Sequence, residues 1–180
     1  ELEGRSVEGL QIAETPRLRL REWKQEDLGR VAPIYGDPGL TQWIGDGSPR
    51  DQAAWAAEIE RCRRLYRERG FGLWAVEIRE NGALIGHCGL QDLDGGSEIA
   101  LGYALASEWR GQGYALEAAR AVIDYGFATL GIERIVAATQ PNNVSSIRVL
   151  ERLGMTFVNE AEHYGKRLAV YGLSAPAKLG

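Results

Sequence analysis

The stretch WRGQGYALEAA, Trp109 to Ala119, sets Gly111, Gly113 and Ala115 at the opening of a run that reads as helix from Tyr114 to Leu130. A helix N-terminus carries amide hydrogens without intrahelical partners and a partial positive charge, so it receives an anion where no bulky side chain bars the approach. Glycine also accepts positive φ, which lets successive amides point into one concavity of the kind that cradles phosphate. The pattern points to a phosphate-bearing ligand; on backbone grounds alone a tight strand-to-helix turn without ligand explains it equally well.

The neighbours of this loop set the architecture. Upstream, EIALGYAL (Glu98 to Leu105) reads as a strand, and it closes a meander with LWAVEIR and ALIGHCGLQ, which Glu80-Asn81-Gly82 joins through a strong hairpin signal. Downstream, the helix turns Ala118, Val122, Ile123 and Phe127 inward and stops at Gly131; a strand at RIVAAT and a second helix, Val144 to Leu153, follow. Two closing strands fit MTFVNEAEHY and RLAVYGL, with Gly165-Lys166 as their turn. Nearer the start, RLRLRE (Arg17 to Glu22) alternates as a half-buried strand, Leu18 and Leu20 on one face and arginines on the other. A short helix interrupted by Pro33 is expected over Asp27 to Tyr35. A longer one is expected with Ser48 as N-cap, Pro49 at its first position and Trp55, Ile59, Cys62 and Tyr66 on one stripe, ending at Gly70. Strands first and alternating helix and strand later make a mixed α+β domain.

Composition bounds what such a domain does. The chain has 180 residues, 44% of them hydrophobic and 26% charged, enough for one core without staples. Residues 1–14 read as a flexible leader, 15–174 as the domain and 175–180 as a tail. A net charge of -4 gives no general pull toward nucleic acid or anionic membrane. No apolar run reaches a membrane-spanning length, and the N-terminal residues lack a basic region followed by an apolar one. Cys62 and Cys88 are far apart with no C-x-x-C neighbour, which argues against zinc and against a disulfide framework and suits a reducing cytoplasm.

Two phosphate motifs fail on this loop. A Walker loop needs Gly-Lys-Ser/Thr at its end, and here the residues are Gly-Tyr-Ala; a dinucleotide fingerprint needs a third glycine where Leu116 stands. Arg110-x-x-Gly113-x-Ala115 instead resembles the Arg/Gln-x-x-Gly-x-Gly/Ala signature of the GNAT acyltransferases. The resemblance runs from TPRLRLREW through WRGQGYALEAA to NNVSSIRVLERLGM and the final VYGL, and it is similar above all to the branch holding bacterial ribosomal-protein N-terminal acetyltransferases. It implies a single GNAT fold, a central mostly antiparallel sheet of about seven strands flanked by about four helices.

The same resemblance implies acetyl-CoA as co-substrate, with no metal. The amides of Arg110, Gly111, Gln112, Gly113, Tyr114 and Ala115 would bind the pyrophosphate, and the backbone of Tyr103, Ala104 and Leu105 would pair with the pantetheine arm. Asn143 matches the asparagine that touches the arm from the other side, and Ser146 the small residue opening the next helix; both also stand where a helix wants a cap. Glu117 fits a structural role in the first turn of its helix.

Acetyl transfer to an amine needs a neutral amine, a donor for the carbonyl oxygen and a proton for the departing thiolate. A lysine-type amine costs roughly 4–5 kcal/mol to neutralise at pH 7, a peptide α-amine about 1–2, so the demand for a base depends on the acceptor. Glu98, at the start of the strand entering the loop, is the general base that the resemblance implies, acting through water, since the family places its base on or near this strand, and a backbone amide near Ala104 or Leu105 is the expected oxyanion donor. Many members of the family carry an acidic tyrosine where this chain has Leu150, and the resemblance to the ribosomal-protein branch implies Ser146 as the proton donor in its place. His87 and Cys88 read as packing, and His163 and Tyr164 as surface near the acceptor side. Most tryptophans read as core, while Trp43 is suspected of lining the acceptor pocket.

The resulting expectation is an N-acetyltransferase for a small-molecule or peptide amine, monomeric or homodimeric. The rivals are a CoA-binding sensor with impaired catalysis and an acyltransferase using another acyl-CoA.

Overall fold

The computed structural model describes residues 11–177; residues 1–10 and 178–180, parts of the expected leader and tail, lie outside the described residues. Eight strands form one sheet in the order β1-β2-β3-β4-β5-β6-β8-β7, one strand more than the sequence suggests. The addition is β1 (Gln11–Glu14), drawn from the expected leader because it pairs antiparallel with β2 (Leu18–Arg21) and covers that strand's outer edge. The meander follows as β3 (Leu73–Ile78), β4 (Leu84–Asp92) and β5 (Ile99–Leu105). β6 (Arg134–Thr139), β7 (Thr156–His163) and β8 (Lys166–Ser174) complete the sheet. Every neighbouring pair is antiparallel except β5 and β6, whose parallel register holds at one pair, Ala100 with Val136.

Five α-helices occur among the described residues, one more than expected, and the extra one follows directly on the segment expected as one kinked helix. A 3-10 turn spans Gln25–Gly29, α1 is Ala32–Tyr35 with Pro33 in its first turn, and α2 is Pro38–Thr41, capped by Asp37. Prolines tolerated only at helix starts divide the segment. The long helix α3 runs from Gln52 to Arg69 and starts later than the sequence suggests, with Asp51 and not Ser48 as its cap: Asp51 Oδ1 accepts the Ala54 amide at 2.8 Å. The Ser48 amide is already bonded to Asp46 Oδ1 and the Arg50 amide to the Tyr35 carbonyl, so the chain there is held out of helical geometry. α4 spans Tyr114–Ala128 and α5 Val144–Arg152, as their apolar stripes lead one to expect.

The helices cover the two faces of the sheet. Against one face α4 buries Ala118, Val122 and Ile123 on Trp74, Val76 and Leu90, with Leu150 of α5 beside them. Against the other lie α1, α2 and α3, with Trp23, Tyr35, Trp55 and Ile59 in a second cluster. The arginine face of β2 is not solvated throughout: Arg21 is buried in a bidentate pair with Asp27 (2.8 and 3.0 Å) and also bonds Glu77 at 2.9 and 3.1 Å. The 3-10 turn that carries Asp27 folds over it, which explains why a solvent-facing alternation ends in a buried cation. No helix among the described residues is long and apolar enough to cross a membrane.

Candidate active site

The glycine loop opens α4 as a left-handed turn. Gly111 and Gly113 have φ of 73° and 82°, and Gly113 is the N-cap residue, with no side chain bonded to the first-turn amides. Those amides are left to a ligand. Arg110, Gly111, Gln112 and Gly113 are exposed, and Tyr114 and Ala115 half-buried. The Arg110 side chain turns away from the loop, donating to the carbonyls of Leu105 (3.2 Å) and Gly39 (3.2 and 3.3 Å), and so ties the end of β5 to α2.

Arg17, which its own stretch marks only as a strand residue, sits beside the loop. Its guanidinium donates to the Gln112 carbonyl at 2.9 Å and lies 4.2 Å over the Tyr114 ring, adding positive charge where the amides point. Glu117 holds it there, accepting from Arg17 Nε (2.7 Å), the Arg17 amide (3.0 Å) and Thr15 Oγ1 (2.6 Å). Burial favours the neutral form of Glu117, but these hydrogen bonds and the Arg17 charge outweigh it and hold the carboxyl below its ordinary value. Glu117 thus has the structural role expected of it.

β5 enters the loop with one edge free. Its partner on one side is β4 along its whole length, whereas β6 meets it only at Ala100. The Ala106 amide donates to the Ile85 carbonyl at 2.8 Å, and strand alternation then turns the amides of Ala104 and Gly102 to β4 and those of Tyr103 and Leu105 toward the gap. The backbone groups of Tyr103 and the amide of Leu105 are therefore open to a ligand, while the Leu105 carbonyl is taken by Arg110 and the groups of Ala104 belong to the sheet.

Where β5 and β6 part, a cavity of about 370 Å³ passes between the two helix layers. On the α4 and α5 side its lining includes Tyr103, Ser146 and Leu150; on the α3 side it includes Trp55, Glu58 and His87. Tyr103 and Ser146 are joined: their hydroxyl oxygens are 2.9 Å apart, and Tyr103 also donates to the Ser146 carbonyl at 3.3 Å. Burial pushes the Tyr103 phenol up to about 12, the Ser146 hydrogen bond only moderating the rise, so the hydroxyl keeps its proton. Asn143 caps α5, its Oδ1 accepting the Ser146 amide at 3.3 Å.

Sequence reasoning separates from geometry at several residues. Tyr103 and Ser146 meet in the cavity lining and Asn143 caps the helix that carries Ser146, whereas Arg110 to Ala115 lie outside that lining, beyond the end of β5. Glu98 does not join them: it is exposed, precedes β5 and lies outside the cavity lining, because its strand rises about 3.3 Å per residue away from Tyr103. Trp43 and Tyr164 do line the cavity. Trp55 is buried in the core and lines it as well. His87, expected as packing, shares a 2.7 Å hydrogen bond with Tyr35 beside the stacked Tyr35 and Trp55 rings, and burial pushes it down to about 4, so it is neutral. Cys62 and Cys88 are buried free thiols, both pushed up by desolvation. Glu58 has no sequence signal beyond a carboxylate on a helix with an apolar stripe.

Comparison with known proteins agrees with this geometry. A family model described as an acetyltransferase (GNAT) domain matches residues 17–156. The [ribosomal protein uS5]-alanine N-acetyltransferase of Escherichia coli is 31% identical over 161 residues, 84% of this chain and 79% of that protein. An acetyltransferase structure from Agrobacterium tumefaciens superposes with a TM-score of 0.77 at 28% identity, covering 96% of this chain and 98% of that one. Mycobacterium smegmatis RimJ, solved in complex with CoA-disulfide, shares the fold with a TM-score of 0.75 at 21% identity, over 88% of this chain and 82% of its own.

Proposed function

Because the chain belongs to the GNAT acetyltransferase family, we propose that it transfers the acetyl group of acetyl-CoA to a primary amine by direct attack in a ternary complex. The observation that carries this is the uncapped start of α4, reached through a left-handed glycine turn from β5, the strand whose Tyr103 lines the cavity. The diphosphate of the co-substrate would rest on the amides of Arg110 to Ala115, with Arg17 adding its charge. The pantetheine arm would pair with the free edge of β5 at Tyr103 and Leu105, faced by Asn143 across the gap.

Each chemical demand then has a residue. A cleft-facing amide, that of Leu105 or Tyr103, is placed to stabilise the oxygen as the carbonyl becomes tetrahedral. The thiolate that leaves has an ordinary pKa near 8.5 and needs only a modest donor. Ser146 supplies the proton or hydrogen bond, its hydrogen turning toward sulfur when the Tyr103 hydroxyl, 2.9 Å away, is the donor of the bond they share. The rival reading, a sensor that binds CoA without turnover, rests on Leu150 standing where many members have tyrosine; the Tyr103–Ser146 pair puts hydroxyls in the same cavity. The acceptor is an amine of a peptide or small molecule, and the similarity to a uS5-alanine acetyltransferase makes a peptide N-terminus the first to try.

Gly113→Val tests the site. A β-branched residue is strained at φ of 82° and would crowd Arg17, so CoA affinity should fall by about 100-fold or more, read by calorimetry. Unchanged affinity would remove the loop from the binding site. Release of free thiol with alanine-initiated peptides, polyamines and lysine, followed by absorbance, separates the enzyme from the sensor.

A further inference from the structure

The opposite half of the cavity, on the α3 side of the sheet, holds groups that the cofactor half does not use. Trp55 and Glu58 lie three residues apart on α3 and so share one helix face, turned to the cavity. Trp55 is 1% exposed, and its Nε1 has no hydrogen-bond partner among the described residues. A buried donor left open costs stability unless something fills the role, so this face is built for a polar occupant. Glu58 is 15% exposed and held rigidly: Arg61 donates to both of its oxygens, at 2.6 and 3.0 Å, and donates on to Gln91 at 3.1 Å. A carboxylate has about four lone-pair sites, and Arg61 takes one on each oxygen. The Cys62 thiol takes another on Oε1 at 3.9 Å, and the remainder are free for a cation.

The surroundings leave Glu58 as the group suited to the task. His87 on β4, the nearest alternative base, is neutral but committed to Tyr35 of α1. Cys62, one turn along α3, is a buried thiol held protonated. Asp92 at the end of β4 also lines the cavity, but its carboxylate is paired with Arg69. From the mouth, Arg50, Lys166 and Tyr164 face inward, and Lys166 is anchored on the Gly45 carbonyl at 2.8 Å. None of these three accepts a proton from an ammonium.

We propose that Glu58 is a catalytic residue that binds the acceptor's ammonium group and takes its proton, directly or through one water, making the Trp55–Glu58 face of α3 the amine subsite. This rests on the acetyl-transfer reading above. The ammonium gives one proton to the carboxylate, which passes it to solvent. The neutral nitrogen forms the C–N bond at the thioester carbon, the C–S bond breaks, and the second nitrogen proton ends on sulfur, giving amide and free thiol. The donors and the base then sit on opposite faces of the sheet, and the gap between β5 and β6 is where the reactants meet.

The test is Glu58→Gln, which keeps a partner for Arg61, assayed by thiol release with an alanine-initiated peptide, spermidine and lysine across pH 6.5–9.5. CoA affinity within about twofold of the parent establishes an intact fold. At pH 7, kcat/KM should drop about 100-fold, the usual worth of a positioned base, and then recover about tenfold per pH unit as the amine deprotonates unaided. Glu58→Asp should regain part of the loss. A Gln variant as fast as the parent at pH 7, or one slowed equally at every pH, overturns the assignment while the parent's activity upholds the acetyl-transfer reading. A parent that binds CoA yet releases no thiol with any of these amines overturns both.

Discussion

At the scale of single residues, the Tyr103–Ser146 pair is the arrangement most open to measurement. Ser146→Ala should lower kcat by about 10- to 100-fold, and Tyr103→Phe by less, because the serine can still donate when its phenolic partner is gone. The double variant should be little worse than Ser146→Ala, the sign of two groups acting as one unit; strict multiplication of the two losses would show them to be independent. Glu98→Gln should stay within about twofold of the parent in kcat/KM, since an exposed carboxylate outside the cavity touches neither reactant. That Gly111 and Gly113 form a turn before one helix and that Ser146 opens the next was legible in the sequence, because each belongs to a local pattern of neighbours. That Arg17 meets Gln112 and the Tyr103 hydroxyl meets Ser146 was not, because those partners stand on other elements.

At the scale of elements, the start of α3 and the cover of β2 show what local patterning can and cannot specify. Ser48-Pro49 is a sound helix opening taken alone, but tertiary hydrogen bonds claim the neighbouring amides and the cap passes to Asp51. Asp51→Ala should therefore cost about 1 kcal/mol in unfolding free energy and Ser48→Ala almost nothing, a difference that denaturant titration resolves. The strands of the meander and both later helices were readable from period and turn chemistry, because apolar spacing and Asn-Gly or glycine stops agree there. The buried Arg21–Asp27–Glu77 cluster was not, since alternation alone assigns those arginines to solvent. Removing one partner of a buried pair leaves the other charge uncompensated, so Asp27→Asn should cost about 3 kcal/mol at pH 7, read from the shift in denaturation midpoint.

At the scale of the whole molecule, the same cluster gives stability a pH dependence. Burial favours the neutral form of Asp27, yet the Arg21 and Lys24 hydrogen bonds and the nearby arginine charges prevail and set its folded pKa below the ordinary carboxylate value. Stability from this source is in full above the unfolded value near 4 and is lost as pH falls through the lower, folded one. Thermal melts should thus shift downward below about pH 4, and Asp27→Asn should flatten that part of the curve. A ligand that binds only the folded chain adds to this, about 2.7 kcal/mol at a hundred times its Kd, so CoA should raise the melting temperature measurably.

The one-rung meeting of β5 and β6 also writes a signature into isotope labelling. Ala104 and Leu105 are adjacent on a single strand, yet one amide is locked to β4 and the other points to the side where no strand pairs with it. In deuterated solvent Leu105 should label early and Ala104 late, a contrast between neighbours that no gradient of chain mobility could produce. Nucleotide bound in the gap should erase it by slowing the first and leaving the second untouched.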